Sequence, residues 1–277
     1  MSLSRKLISA AARSGGLLSR YRGAPFADYI QRATDEFHRG LNNVNFNMAA
    51  NGELRALRVI SQSGAKCLFD VGANVGEWTL VAAELCPNSS IHAFEVVPAT
   101  FAKLSAETAH LNQMISNPFG LSDTEGEITI HLNNDDSSIA TACKIEGLTF
   151  HNEVYVEQVQ GKVRRGADYL NEMGIDSVDF MKIDVEGMDL RVIKGFGDEI
   201  RRIKAIQFEY GIFNISSHDL LADFCNWLGA RGFVIGKIFP RNIQFFDYDF
   251  SMENFHGSNY VAVREDEPKL IRDLTGT

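Results

Sequence analysis

The sequence predicts an α/β fold, a doubly wound sheet of parallel strands with helices on both faces. Three observations carry that prediction. Cys67-Leu68-Phe69-Asp70-Val71 leads into Gly72-Ala73-Asn74-Val75-Gly76, and a helical pattern follows over Trp78, Leu80, Val81, Ala82, Ala83 and Leu85. A buried strand therefore runs through a glycine turn into a helix that starts at or just after Gly76. Ser90 to Phe94 is a second strand, ending in an acid, Glu95. Val178 to Val185 is a later apolar strand closed by Glu186-Gly187, and Leu190, Val192 and Ile193 mark a short helix after it. Strands alternating with helices build βαβ units, which bury parallel strands between helical layers.

The other elements follow in order. Residues 1–27 contain Arg5, Lys6, Arg13, Arg20 and Arg22 and no acid. Leu3, Leu7, Ile8, Leu17 and Leu18 interleave with them, so the segment is weakly amphipathic. It could lie on an anionic membrane surface or on a partner. Its Arg- and Ser-rich, acid-free composition also resembles a transit peptide. The plainest reading is a packed or frayed terminal helix, because Gly15-Gly16 interrupts the period. Residues 27–37 and 52–62 are helical, with an Asn- and Gly-rich loop between them. The predicted division is a helical N-terminal extension over 1–62, a sheet-bearing domain over 63–266 and a tail over 267–277.

After Glu95, Pro98 opens a helix that runs to about Leu111. Met114 to Phe119 is the third strand, followed by Gly120-Leu121-Ser122-Asp123. Glu127 to Leu132 alternates, and Val154 to Val163 alternates again, which predicts a β-hairpin added after the third strand. The long connection over 133–153 is a candidate flap. Ala205 to Tyr210, Phe233 to Phe239 and Asn259 to Val263 are the fifth, sixth and seventh strands.

Composition bounds the function. Hydrophobic content of 45% and charged content of 23% are ordinary for a soluble protein. A net charge of -9 argues against a dedicated nucleic-acid binder. There is no run of ~18 apolar residues, so no membrane span is expected. The four cysteines form no C-x-x-C pair, which fits a reducing, cytoplasmic setting. A dinucleotide fingerprint counted from Gly72 would need Gly at 74 and 77, where the chain has Asn74 and Glu77. That disfavours a nicotinamide dehydrogenase. Glu95 still stands where an acid at the tip of the next strand can take both hydroxyls of a ribose. Lys182, Asp184 and Glu186 lie two apart in an apolar strand, which is costly unless they are paired or used. Glu209 ends the next strand.

Asp70-x-Gly72-x-Asn74-x-Gly76 resembles the first motif of class I S-adenosylmethionine-dependent methyltransferases. Met181-Lys182-Ile183-Asp184-Val185-Glu186-Gly187, with Asp189 and Val192-Ile193-Lys194-Gly195, resembles the L-K-I-D-V-E-G-x-E-x-x-V-L-x-G signature of FkbM-type methyltransferases. Asp189 stands where that signature commonly has Glu. Gly120 to Asp123 with Gly126 resembles another block of the family, and the likeness covers about residues 66–264. It implies a Rossmann-like, seven-stranded class I methyltransferase sheet whose last strand is antiparallel. It implies S-adenosyl-L-methionine as donor and a hydroxyl as acceptor, of a sugar in a glycan or of a glycosylated natural product.

On that resemblance the donor site comprises Asp70, Gly72, Asn74, Gly76, Trp78, Glu95, Ser122, Asp123 and Asp184, with Ser122 and Asp123 bordering the adenine. A hydroxyl is a weak nucleophile, so a general base or a divalent metal such as Mg is expected. Asp184 is the candidate base or metal ligand and Glu209 its partner. Glu186 orients, and Lys182 binds the acceptor or lowers the carboxylates' proton affinity. His218 and His256 are alternative bases. The expected partner is a small-molecule or glycan acceptor and not nucleic acid. Two other readings stand: a methyltransferase acting on protein or another small molecule, and a non-catalytic nucleotide-binding module. The joint presence of Lys182, Asp184, Glu186 and Glu209 favours an enzyme.

Overall fold

A computed structural model describes residues 3–133, 141–142 and 155–276. Most of the expected flap over 133–153 therefore lies outside the described residues. Two compact units divide the chain between Val44 and Asn45.

The first unit is helical. Its long elements are α1 (Leu3–Leu18) and α2 (Pro25–Leu41), joined through a 3-10 turn at Ser19–Tyr21. Gly15 and Gly16 do not end α1. Pro25 opens α2, where a missing N–H costs nothing and the fixed φ already suits a helix.

The second unit opens with α3 (Met48–Asn51) and α4 (Glu53–Gln62), then alternates. β1 (Cys67–Val71), α5 (Glu77–Leu85), β2 (Ser90–Phe94), α6 (Pro98–Thr108) and β3 (Met114–Asn117) form its first half. β4 (Gly120–Ser122), β5 (Gly126–Asn133) and β6 (Tyr155–Arg165) follow. Next come α7 (Gly166–Glu172), β7 (Phe180–Ile183), α8 (Asp189–Lys194), β8 (Ala205–Tyr210), α9 (Asn214–Ser217) and α10 (Leu221–Gly229). β9 (Phe233–Ile238), β10 (Ile243–Phe245), β11 (Ser258–Arg264) and α11 (Pro268–Thr275) complete it.

The main sheet has eight strands in the order β10-β9-β11-β8-β7-β1-β2-β3. β3, β2, β1, β7 and β8 pair in parallel. β11 slots between β8 and β9, antiparallel to both. From β1 the chain moves outward through β2 and β3, then returns to place β7 on the other side of β1. The gap between the ends of β1 and β7 is thus the point where strand order reverses, and such points open a crevice for ligands. The eighth strand, β10, pairs antiparallel with β9 at the edge. Its three residues are too few to show a period. The expected hairpin is larger as well: β5 and β6 pair antiparallel, and β4 joins β6 in parallel, giving a separate three-stranded sheet.

Alternation along the central strands explains burial on both faces. Phe69 and Met181 fall in one core cluster with Phe94, Phe208 and Phe224. Their neighbours Leu68 and Phe180 fall in the other, with Leu57, Ile60, Trp78, Leu270 and Leu274. α4 and α11 therefore cover one face of the sheet. Residues 45–62 and 268–275 belong to the sheet unit, and the extension is shorter than the sequence predicts. Phe208 is fully buried and stacks on Phe224 at 4.6 Å between ring centroids. Phe208→Ala should cost about 3–5 kcal/mol of unfolding free energy in a urea titration. A loss below about 1 kcal/mol would contradict this packing.

Candidate active site

A cleft opens at the reversal of strand order. Gly72 and Asn74 line it after β1, Glu95, Val96 and Val97 after β2, and Asp184, Val185 and Glu186 after β7. Ile128, Ile130 and Val163 of the smaller sheet add an apolar side.

Gly72 makes the cleft possible. Its φ is +82°, and a Cβ there would lie 2.0 Å from the carbonyl oxygen of Asp184. The turn after β1 thus meets the end of β7 backbone against backbone, which only glycine allows. Gly76 (φ +93°) caps α5 close to Leu104. Asn74 takes a left-handed conformation, φ +48°, that Asn tolerates. Its N–H donates to Glu95 Oε2 at 2.9 Å, and the Val97 N–H donates to Glu95 Oε1 at 2.7 Å. Glu95 is therefore fixed by the backbone of two loops. Burial pushes its pKa up, against the pull of these bonds. A carboxylate offers roughly four acceptor positions, so about half stay open to a ligand. Asn74 Oδ1 is a buried acceptor with no hydrogen-bond partner.

Ser122 lines the cleft and its hydroxyl donates to Asp123 Oδ1 at 3.2 Å. Asp123 itself is not among the lining residues. Two further residues expected at the donor site, Asp70 and Trp78, do not line the cleft. Asp70 is fully buried, accepts from Thr79 Oγ1 at 2.6 Å, and does not line the cleft. Its pKa is raised by burial, with Lys182 and Thr79 opposing. Trp78 lies on the face of α5 that packs on the sheet, and its ring stacks on Phe180 at 6.1 Å. It is a core residue. His218 and His256 do not line the cleft either.

The charged cluster gathers at the ends of β7 and β8. Lys182 Nζ donates to Asp184 Oδ2 at 3.0 Å and lies 3.9 Å from Asp70 Oδ1. Burial alone would lower the lysine pKa; Asp184, Asp70 and Glu53 outweigh it and hold the ammonium charged. Glu186 adopts φ +50°, and its carbonyl accepts from Thr141 Oγ1 at 2.8 Å. Loss of hydration, then the charges of Asp184 and Asp189, lift Glu186 well above the usual carboxylate range. The same causes, with Glu186 added, lift Glu209. Asp189 is fully buried, accepts the Glu209 N–H at 3.0 Å on Oδ1, and has no partner on Oδ2. Burial pushes it up to about 7. Among the described residues, no group of three or more His, Cys, Asp or Glu side chains is placed to hold a metal ion.

Sequence reasoning missed Glu53. This buried carboxylate at the start of α4 accepts from Asn51 Nδ2, from Gln207 Nε2 at 2.6 Å and from Asn259 Nδ2 at 3.0 Å. It ties α4 to β8 and β11, and its charge acts on Lys182 and Glu209. The available signals were Gln207 and Asn259, polar residues inside apolar strands.

The family model described as "Methyltransferase FkbM domain" matches residues 70–235. The 2-O-methyltransferase NoeI of Sinorhizobium fredii is 23% identical over 190 residues, covering 65% of this chain and 76% of the relative. The hexuronic acid methyltransferase AglP of Haloferax volcanii is 25% identical over 162 residues, covering 57% of this chain and 62% of the relative. The 31-O-demethyl-FK506 methyltransferase FkbM of Streptomyces tacrolimicus is 27% identical over 154 residues, covering 47% and 59%. The chain thus spans about three fifths of the length of the last two. The crystal structure of methyltransferase FkbM from Methylobacillus flagellatus superposes with a TM-score of 0.44 at 15% identity, covering 72% of this chain and 44% of that one.

Asp189 gives the pH test. Its pKa rises from 3.8 to about 7 on folding, so the proton is held more tightly in the native state. The stability this contributes is complete below the unfolded value and is lost as pH rises through about 7. Asp189→Asn should therefore be more stable than wild type at pH 8 by about 1–3 kcal/mol in urea unfolding, with the gap closing toward pH 4. A gap that does not change with pH would contradict the burial cost assigned to this carboxylate.

Proposed function

The chain belongs to the FkbM methyltransferase family, and on that premise we propose that it moves a methyl group from S-adenosylmethionine to a hydroxyl of a sugar-like acceptor. One observation carries the reading. The cleft joins a backbone-clamped acid, Glu95, to Asp184, which pairs with the buried Lys182, across a glycine turn that brings both strand ends together. The first suits a ribose diol, the second a hydroxyl that must lose a proton.

The residues present fit such a donor. Glu95 keeps acceptor positions for two ribose hydroxyls. Asn74 Oδ1, buried and without a partner, suits a donor group of the amino acid tail. Ser122, with the apolar side formed by Ile128, Ile130 and Val163, suits the base. The donor, when bound, supplies a methyl group already activated on a sulfonium. The chain's own work is alignment and removal of the acceptor proton. Asp184 Oδ2 is oriented by Lys182, and 35% of its side chain is exposed. It is assigned to take the proton. Glu209 and Glu186, lifted by burial and by Asp184, hold protons more readily and so keep the crowded cluster from carrying several negative charges.

The sugar-like acceptor is supported by two relatives named for 2-O-methyl and hexuronic acid methyl transfer. A second reading, in which Asp184 and Glu209 hold a divalent ion, finds no group of three or more ligands among the described residues to complete it. Under that reading a chelator would abolish turnover and Mg would restore it, whereas a carboxylate base is indifferent to both.

Two variants separate the halves of the site. Asp184→Asn should lower kcat about 10²–10⁴-fold while the donor Kd, measured by calorimetry, stays the same. Glu95→Ala should weaken donor binding by about tenfold or more, the loss of charge-assisted bonds to a diol. Full turnover in the first variant, or unaltered donor affinity in the second, would sink the corresponding assignment.

A further inference from the structure

Residues 3–41 carry a surface that the methyl-transfer site does not use. α1 has no buried residue, and α2 has one, Ala27. Seventeen large apolar side chains are exposed among the described residues, and ten of them lie between Leu3 and Leu41. They fall on faces. In α1, Leu3, Leu7, Leu17 and Leu18 share one side, with Lys6 and Arg13 along its edge and Arg5 opposite. In α2, Phe26, Ile30, Phe37 and Leu41 recur at helical spacing, with Tyr29 beside them, and Arg32, Asp35 and Arg39 lie opposite. Phe37 is 68% exposed and Leu7 63%. Apolar side chains are not left in water at this density unless something covers them.

Charge selects the covering. Residues 3–41 hold seven Arg or Lys against three Asp or Glu, a formal +4, while the whole chain stands at -9. The remainder is therefore strongly acidic. We propose that residues 3–41 dock on a bilayer of anionic phospholipid, with the apolar faces of α1 and α2 in the interface and the basic side chains at the head groups. Helices of this kind bind through buried apolar area together with attraction to anionic lipid. Tyr21 and Tyr29 are amphipathic rings suited to the head-group level. A second copy of the chain is the competing occupant. Helix-to-helix pairing of two copies would oppose two segments of formal +4. The acidic body of a copy matches the charge, but outside residues 3–41 its exposed large apolar side chains, seven among the described residues, come from separate stretches, such as Ile115, Met173 and Phe250. They do not form a counterpart to two apolar helix faces.

The test uses the full chain and two vesicle types, phosphatidylcholine alone and phosphatidylcholine mixed with phosphatidylglycerol. Co-sedimentation should show at least about tenfold stronger partitioning onto the mixed vesicles, falling as salt is raised. The charge variant Arg5→Glu/Lys6→Glu/Arg13→Glu and the apolar variant Leu7→Asp/Ile30→Asp/Phe37→Asp should each lose that binding by about tenfold or more. Both should keep the wild-type circular dichroism and thermal midpoint, which separates lost docking from lost folding. Equal binding to both vesicle types, or binding to neither, would overturn the proposal. So would a dimer in sedimentation velocity that the apolar variant dissociates while vesicles bind nothing.

Discussion

A buried ammonium must be neutralised where it sits, and Lys182 is held between Asp184 at 3.0 Å and Asp70 at 3.9 Å. Taking such an ion out of water costs several kcal/mol, and removing one partner of a buried pair leaves the other charge uncompensated. Asp70 is on β1, Lys182 on β7, and Asp184 just beyond β7, so the pairing fixes the central strands against one another. Glu53 adds its charge from α4 and is itself held by Gln207 and Asn259. Three parts of the sheet unit that are far apart in sequence thus converge on one cation. The same arrangement leaves Asp184 with its carboxylate toward the cleft.

The opposite wall depends on a different constraint, the absence of a side chain at Gly72. Because backbone meets backbone there, the loops after β1, β2 and β7 close on one space. The Asn74 and Val97 amides then clamp Glu95 before any ligand arrives. Preorganised acceptors of this kind spend no binding free energy on ordering themselves. The half of the site proposed for the donor is therefore rigid, set by backbone hydrogen bonds. Its second half is electrostatic, set by crowded carboxylates around one lysine.

Much of this was legible in the sequence because both faces of the central strands are buried. Apolar runs such as Cys67 to Val71 and Phe180 to Ile183 announce themselves, and so do the acids that end them. The glycine turn was legible because Gly72 and Gly76 leave a fixed spacing. What stayed hidden depends on where a side chain turns after the backbone is placed. Asp70 belongs to the motif, yet it points at Thr79 inside the protein. Trp78 follows the turn directly, yet its helical phase sends it onto Phe180. Glu53 was missed because the polar residues that signal it, Gln207 and Asn259, are more than 150 residues away along the chain. β10 was too short to show alternation. The boundary of the extension was hidden because α4 and α11 owe their place to packing on the sheet, which no local pattern encodes.

The most direct test of the account is a crystal structure of the chain with S-adenosylhomocysteine. It should place both ribose hydroxyls within hydrogen-bond distance of Glu95 and the sulfur on the side of the cleft that Asp184 lines. A nucleoside seated elsewhere, with Glu95 still bonded only to the Asn74 and Val97 amides, would contradict it.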